Sequence, residues 1–306
     1  MSTATRCDSA MGAGMSEEAR RDAFIPGPVV CCHGVVVGFR ANWAGVLTEL
    51  DSEFIPGSRA SEGREPDLAY SLECDQSRGL YAVSIGSQEL IRTPDLDRLL
   101  KFLKLHVQHA IAESAVERLF VHAGAVAWRG KAILLPGHSG SGKSTLVREL
   151  ICAGAEYLSD EFAVLDPDGL VHPFARPLSL RTNHGKVDCP VGELGVRTAT
   201  EPLPVGMVAF TKYKPQGIFR PVRLTPGVAV LELLKHFVTV RTNPAKAMLV
   251  ARAVTSDCLV VSSVRGDAVS SAPLLLNRLD EFTSFFEQPK KENSNVPTGQ
   301  GNRTDC

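Results

Sequence analysis

The segment GHSGSGKST, residues 137–145, restricts the possible folds of this chain more than any other feature. It matches the phosphate-loop (P-loop) pattern G-x-x-x-x-G-K-[ST], with the apolar run KAILLPG before it and the helical pattern STLVRELICAG after it. Glycines let such a loop curl so that several backbone N–H groups face one anion, and the following helix adds its positive N-terminal end. A glycine-rich turn with a chance lysine is the alternative, but the flanking strand and helix favour an α/β protein with a phosphate-binding loop.

The residue types in this loop predict a nucleotide triphosphate and a metal ion. Lys143 is expected to reach the β- and γ-phosphates, and the Ser144 hydroxyl is expected to ligate Mg²⁺, as in other P-loops. Thr145 would add a contact to the α-phosphate. We therefore predict that ATP and Mg²⁺ are bound by the loop residues Gly137, His138, Ser139, Gly140, Ser141, Gly142, Lys143, Ser144 and Thr145.

Composition divides the chain into four parts. Residues 1–24 and 288–306 are small, polar and charged and are expected to be disordered. Residues 25–118 contain the β-like runs VVCCHGVVVGF and LYAVSIG, followed by a helix that we expect Thr93, Pro94 and Asp95 to start. This pattern predicts a small β-rich N-terminal module plus a linking helix. Residues 119–287 alternate strand and helix patterns and form the predicted P-loop domain.

Whole-chain properties exclude several classes of partner. The formal net charge is −1 over 306 residues, so no global basic surface indicates nucleic acid or an anionic membrane. No apolar run reaches the ~20 residues of a spanning helix, and the N-terminus lacks the apolar stretch of a secretory signal. The eight cysteines are scattered without metal-ligand spacing. We expect a cytoplasmic protein with reduced thiols and without membrane or nucleic-acid partners; homo-oligomerisation is left open.

Two adjacent acids complete the predicted site. Transfer of a phosphoryl group to a hydroxyl requires a carboxylate for the metal and a base for the acceptor. Asp160 and Glu161, in AEYLSDEFAVLD, follow the P-loop helix by one short turn and one strand. We expect them at the edge of the sheet beside the P-loop strand, close to the phosphates. A solvated acidic turn is the alternative interpretation.

Together, three segments resemble the C-terminal domain of HPr kinase/phosphorylase and its relatives, which are related to ATP-type phosphoenolpyruvate carboxykinases. The segments are VHAGAV, GHSGSGKST and LSDEFAVL, in this order, although Ala123 stands where that family usually has glycine. The resemblance implies a P-loop kinase core of this type, joined here to the small β-rich N-terminal module. It also implies that Asp160 is the base that takes the proton from a substrate serine, that Glu161 helps to hold Mg²⁺, and that His122 orients the catalytic acid.

The segment HPFARPLSLR resembles a stretch found in the relatives of HPr kinase. Arg176 and Arg181 bracket it and could steady the transferring phosphoryl group, because a guanidinium group fits phosphate oxygens in a forked geometry. Surface arginines on a strand edge are the alternative, and Lys212 is a weaker candidate of the same kind. The glycine- and arginine-rich C-terminal segment of bifunctional HPr kinases is absent from this sequence, which favours a stand-alone relative.

Three functions remain open at this point. The first is an ATP-dependent, Mg²⁺-dependent serine kinase that acts on a protein or a peptide. The second is a small-molecule kinase or a carboxykinase-like phosphotransferase, which would use the same loop and acids. The third is a non-catalytic module that senses ATP, which the presence of both acids makes less favourable, because a sensor needs no base.

Overall fold

The computed structural model describes residues 24–50, 54–138, 140–182, 185–189, 192, 195 and 197–287. Apart from Phe24, the termini predicted to be disordered lie outside the described residues. The strands are β1 Ile25–Cys32, β2 Val35–Ala41, β3 Arg59–Ala60, β4 Leu68–Asp75, β5 Leu80–Ile85, β6 Gln88–Thr93, β7 Leu119–Trp128, β8 Lys131–Pro136, β9 Glu156–Ser159, β10 Phe162–Leu165, β11 Val171–His172, β12 Leu178–Thr182, β13 Gly185–Cys189, β14 Val205–Tyr213, β15 Val222–Arg223 and β16 Leu259–Arg265. The α-helices are α1 Leu96–Ser114, α2 Lys143–Cys152, α3 Pro226–Leu234, α4 Pro244–Ser256 and α5 Ala268–Glu287, and a short 3₁₀ helix covers Ala44–Glu49.

The N-terminal part is a six-stranded mixed sheet with the order β3-β1-β2-β4-β5-β6. The run VVCCHGVVVGF, predicted simply as β structure, is a hairpin: β1 and β2 pair antiparallel around His33 and Gly34. Both turn residues have positive φ, 48° and 87°, as a two-residue hairpin turn requires. The β-rich character predicted for this region is therefore present, and it includes one parallel pair, β2 with β4.

Helix α1 begins later than the sequence indicates. Its N-cap is Asp95, whose carboxylate accepts a hydrogen bond from the backbone N–H of Arg98 at 3.0 Å. The expected capping residue, Thr93, instead accepts from the N–H of Asp95 at 3.2 Å, with Pro94 in between. A carboxylate placed three residues before a free helical N–H is the stronger cap here.

The second sheet carries the P-loop. Its order is β11-β10-β7-β8-β14-β16-β15, and β9 also pairs with β7. Strands β8, β14 and β16 are parallel, whereas β7 and β8 form the predicted hairpin around Arg129 and Gly130. The acids follow β9 and precede β10, and both of these strands pair with β7. Strand β7 therefore lies between the acids and the P-loop strand, which corrects the expectation that they are direct neighbours.

Helices cover both faces of this sheet and fix its position in the core. One hydrophobic cluster packs residues of α3 and α4 against one face, and another packs residues of α2 and α5 against the opposite face. A third cluster joins the N-terminal sheet and α1 to Phe120, Phe162 and Phe174 of the second part. The N-terminal sheet and the second sheet thus meet at these three phenylalanines. The predicted boundary between residues 118 and 119 falls at the end of the loop between α1 and β7.

The helices of the described ranges include none that is both long enough and apolar enough to cross a membrane.

Candidate active site

The P-loop has the backbone that its glycines predict. Gly140 and Gly142 have φ values of 84° and 86°, in the left-handed region that other residues adopt only with strain. Gly142 is the N-cap of α2, and its carbonyl accepts from the N–H of Leu146 at 3.1 Å. The positive end of α2 therefore starts at the loop, as anion binding requires. Ser139, one of the predicted binding residues, lies outside the described residues.

The Lys143 ammonium lies across the loop. It donates to the carbonyl oxygens of Gly137 at 2.6 Å and His138 at 3.0 Å. Ser141 is close to the same place, because a Cβ atom built on Gly137 would approach the Ser141 hydroxyl to 2.7 Å. The side chains of the loop therefore converge on its first turn, while Thr145 is exposed at the outside of α2.

Asp160 lies near Ser144 of the P-loop. Its side chain is buried, with 3% of the residue exposed, and Oδ2 accepts from the backbone N–H of Ser179 at 3.2 Å. Burial raises the pKa of Asp160, whereas the Ser179 N–H and the Ser144 hydroxyl both act to lower it. The other carboxylate oxygen, Oδ1, is buried and has no hydrogen-bond partner within the described residues. Ser144 thus lies near enough to Asp160 to act on its pKa, and Oδ1 is left as a free acceptor among the described residues.

Glu161 points to a different neighbour. Its Oε1 lies 3.9 Å from Nδ1 of His122, and both side chains are a little over one-third exposed, at 38% and 36%. Burial lowers the pKa of His122, and the charge of Glu161 partly opposes this effect. The structure shows His122 beside Glu161, the residue that follows Asp160, and the orienting role that the resemblance implies for His122 stays a prediction.

His236 joins the site, although sequence reasoning did not identify it. Its backbone carbonyl accepts from the N–H of His122 at 2.8 Å, and its ring lies 5.1 Å from the ring of His138. Burial, together with the charges of His138 and Lys143, lowers the pKa of His236 to about 4. His236 follows α3 in an ordinary apolar segment, so no spacing in the sequence could have identified it.

The two predicted arginines lie in different places. Arg176 lies near the acid, since its charge acts to lower the pKa of Asp160, and its carbonyl accepts from the Tyr157 hydroxyl at 2.8 Å. Arg181 lies on β12, paired with Lys186 of β13, and its side chain is outside the described residues. The weaker candidate Lys212 is exposed on β14.

Arg265 is a second residue that the sequence analysis missed. It ends β16 beside the P-loop, is 2% exposed, and donates from Nη2 to the carbonyl of Gly142 at 2.8 Å. Parallel strands bring their C-terminal ends to one edge of a sheet, so β8 delivers the P-loop and β16 delivers Arg265 to the same place. Only the sheet order could have predicted this contact.

The oxygen atoms of Ser144 and Asp160 suit a hard divalent cation. Within the described ranges, no three histidine, cysteine or acidic side chains form a ready-made metal cluster. Mg²⁺, however, takes few protein ligands and is usually shared with substrate phosphates. The Ser144 hydroxyl and the unpartnered Oδ1 of Asp160 are oxygen atoms of the type that Mg²⁺ prefers.

Comparisons with known proteins give little further information. No protein-family model matches the chain. No curated protein matches it either. Among solved structures, it is similar to the HPr(Ser) kinase/phosphatase from Coxiella burnetii, with 15% identity, a TM-score of 0.30, and coverage of 55% of this chain and 97% of that chain. A likeness at this level supports no conclusion about function, so the proposals below rest on the contacts of the site.

Proposed function

We propose that this protein is an ATP-dependent, Mg²⁺-dependent phosphotransferase that transfers the γ-phosphoryl group to a serine hydroxyl of a protein or peptide. One observation carries the proposal: the buried carboxylate of Asp160 lies near enough to the P-loop hydroxyl of Ser144 for that hydroxyl to act on its pKa, and its Oδ1 has no hydrogen-bond partner among the described residues. A buried acceptor without a partner is costly, and a bound cation would remove that cost. A loop that only held phosphate would not need this carboxylate.

Backbone N–H groups and cationic side chains of this protein could bind the phosphates together. The N–H groups at the start of α2 and the loop glycines would surround the phosphates. Lys143 would exchange its two loop carbonyls for phosphate oxygens, which are stronger acceptors for an ammonium group. A bound Mg²⁺ would supply positive charge against the phosphate oxygens. Arg176, whose charge already acts on Asp160, would add to that positive charge.

The contacts favour a division of the two acids that differs from the one implied by the resemblance. Asp160 lies near Ser144, the predicted metal ligand, whose hydroxyl acts on its pKa, so we assign Asp160 to the metal side. Glu161 faces His122 on the more exposed side, where an acceptor hydroxyl would arrive. In this arrangement Glu161 takes the proton of the acceptor, and His122 holds Glu161 in place. Asp160 and Glu161 lie in the bend between β9 and β10, where neighbouring side chains can turn to different partners.

The openness of the acceptor side favours a macromolecular substrate over a metabolite. His122 and Glu161 are each more than one-third exposed, and His138 is exposed as well. Two open cavities lie away from this surface: one, of about 460 Å³, is at the Trp128–Gly130 turn, and the other, of about 310 Å³, is between the start of α3 and the end of α4. A small acceptor would need an enclosed polar pocket over the γ-phosphate, whereas a serine on a peptide can approach an open surface.

The proposal is tested by the transfer of labelled phosphate. The full chain is incubated with γ-labelled Mg²⁺-ATP and a degenerate library of serine-containing peptides. We expect label on serine with the wild type and a loss on the order of 100-fold with Lys143→Met, because the ammonium is the main charged contact to the terminal phosphates. Lys101→Met, at an exposed position of α1, is the matched control and should retain full activity.

Two outcomes would contradict the proposal. Tight binding of Mg²⁺-ATP without transfer to any peptide or protein would identify a sensing module. Label on small hydroxyl compounds alone would identify a metabolite kinase.

A further inference from the structure

Arg265 is the largest of the fully buried side chains in the described structure, and it carries a charge. Its guanidinium donates from Nη2 to Gly142 at 2.8 Å and from Nη1 to Gly266 at 3.0 Å. Its Nε is buried and has no acceptor among the residues described. The guanidinium carbon lies 5.8 Å from the ring centre of Tyr213, which supplies a weak cation–π contact. The guanidinium group is thus held by two hydrogen bonds, while its Nε–H has no acceptor among the residues described.

The charge of Arg265 is not balanced by an ion pair within the described ranges. Asp267 and Tyr213 act on it electrostatically, but burial is the larger effect and lowers the pKa of Arg265. A buried cation without a carboxylate partner is expensive to maintain. Buried arginines are normally found paired, so an unbalanced one beside an anion-binding loop requires an explanation.

The contact with Gly142 places this charge directly behind the P-loop. Gly142 is the N-cap of α2 and immediately precedes the N–H groups of Lys143 and Ser144, which face the predicted phosphate. A Cβ atom at Gly142 would approach Nη2 of Arg265 to 2.6 Å, so the glycine leaves room for this close approach. Arg265 therefore fixes the residue from which the helix and its free N–H groups begin.

We propose that Arg265 is a positioning residue of the P-loop whose buried charge is balanced by the phosphate groups of the bound nucleotide. This inference rests on the nucleotide binding proposed above. The arginine holds the Gly142 carbonyl and lends its positive charge to the loop, without touching the reacting atoms. It would account for a buried cation that forms no ion pair within the described residues and on which Asp267 acts only electrostatically.

The experiment measures the affinity of the full chain for Mg²⁺-ATP by calorimetry. Arg265→Met should bind Mg²⁺-ATP about tenfold more weakly or worse, because the variant loses the charge behind the loop. Its affinity for adenosine, which carries no phosphate, should not change. The thermal midpoint without nucleotide should stay the same or rise, because an apolar side chain replaces an unbalanced buried charge. Arg223→Met, on the neighbouring strand β15, is the matched control and should bind like the wild type.

A second variant keeps the inference testable if Arg265→Met does not fold. Arg265→Lys retains a charge near pH 7 and should bind Mg²⁺-ATP within a few-fold of the wild type there. Burial lowers the pKa of a lysine, so its affinity should fall as the pH rises to about 9.5, whereas arginine keeps its proton throughout. A purely structural side chain would not produce this pH profile.

The outcomes separate this inference from the proposed function. If the wild type does not bind Mg²⁺-ATP, both are overturned. If the wild type binds and Arg265→Met binds equally well, or if Arg265→Lys loses affinity equally at every pH, only the role of Arg265 is overturned. Loss of affinity in the methionine variant together with a pH-dependent loss in the lysine variant supports it.

Discussion

Two buried aspartates lie at opposite ends of the four-residue strand β10, and they differ in their partners. Asp166, after the strand, is 8% exposed and accepts hydrogen bonds from the backbone N–H groups of Asp168 and Leu170 and from the His172 ring, at 3.1, 2.9 and 2.9 Å. Asp160, before the strand, is 3% exposed, accepts one backbone N–H, and leaves Oδ1 unpartnered within the described structure.

The pKa values of the two carboxyl groups move in opposite directions. Burial acts to raise both, but in Asp166 the hydrogen bonds from His172 and Leu170 outweigh burial and lower the pKa. In Asp160 burial prevails and the pKa rises. Burial alone therefore does not show whether a carboxylate stabilises the fold or waits for a ligand; the number of donors around it does.

The largest expected effect is on phosphoryl transfer. Asp160→Asn should reduce transfer on the order of 1000-fold and raise the Mg²⁺ concentration needed for half activity, because a neutral amide is a poor ligand for this cation. Asp166→Asn should retain the wild-type rate per folded molecule. Steady-state kinetics over a Mg²⁺ series measures both.

Glu161→Gln sharpens the same test. It should lower kcat with an unchanged Mg²⁺ requirement, because we place Glu161 on the acceptor side. If the Mg²⁺ requirement shifts in Glu161→Gln and not in Asp160→Asn, the division implied by the resemblance is the correct one.

The second effect is on stability and is assigned to the other aspartate. Asp166→Ala should lower the free energy of unfolding by about 2 kcal/mol, because it leaves two backbone N–H groups and the His172 ring without their acceptor. Since the pKa of Asp166 is lowered in the folded protein, this stability is present above the usual carboxyl value of about 4 and is lost as the pH falls through the folded value. Urea unfolding at several pH values measures it. If Asp160→Ala lowers the free energy of unfolding by the same amount, the difference that we infer between the two aspartates is wrong.

The smallest effect is the pH dependence contributed by Asp160 itself. A raised folded pKa means that the folded state binds the proton more tightly, so this contribution to stability is full below about pH 4 and is lost as the pH rises through the folded value. Asp160→Asn should therefore stabilise the protein at neutral pH by about 1 kcal/mol, and the gain should vanish in acid. If the wild type and Asp160→Asn keep a constant difference across pH, the pKa of Asp160 is not raised in the folded protein.

Local patterns predicted the strand before the glycine-rich loop, the helix after it and most elements around them. The loop, its strand and its helix are contiguous in sequence, so spacing alone identifies them, and the β7–β8 turn follows from Arg129 and Gly130. The arrangement of the acids needed more: Asp160 and Glu161 lie in the bend between β9 and β10, and which neighbours they meet depends on strand order. The position of β7 between the acids and the P-loop strand could not be predicted for the same reason.

The sequence analysis missed His236 and Arg265 because their positions near the P-loop depend on contacts between distant segments of the chain. Each lies in a segment whose sequence indicates only an ordinary helix end or strand. Long-range pairing brings them within reach of the P-loop from positions about 100 residues or more along the chain, for example Arg265 to Gly142. Such contacts leave no periodic trace in one sequence.

The hairpin between β7 and β8 has a consequence for how this protein can change in length. Its two turn residues, Arg129 and Gly130, have φ values of 49° and 75°, which fit the tightest hairpin connection. The same strand β7 carries His122 on one side of the site, while β8 leads into the P-loop on the other. A single residue inserted into this strand pairing would move every side chain to the opposite face, and His122 would turn away from Glu161. The turn at the tip of the hairpin thus sets the register between the strand that carries His122 and the strand that leads into the P-loop.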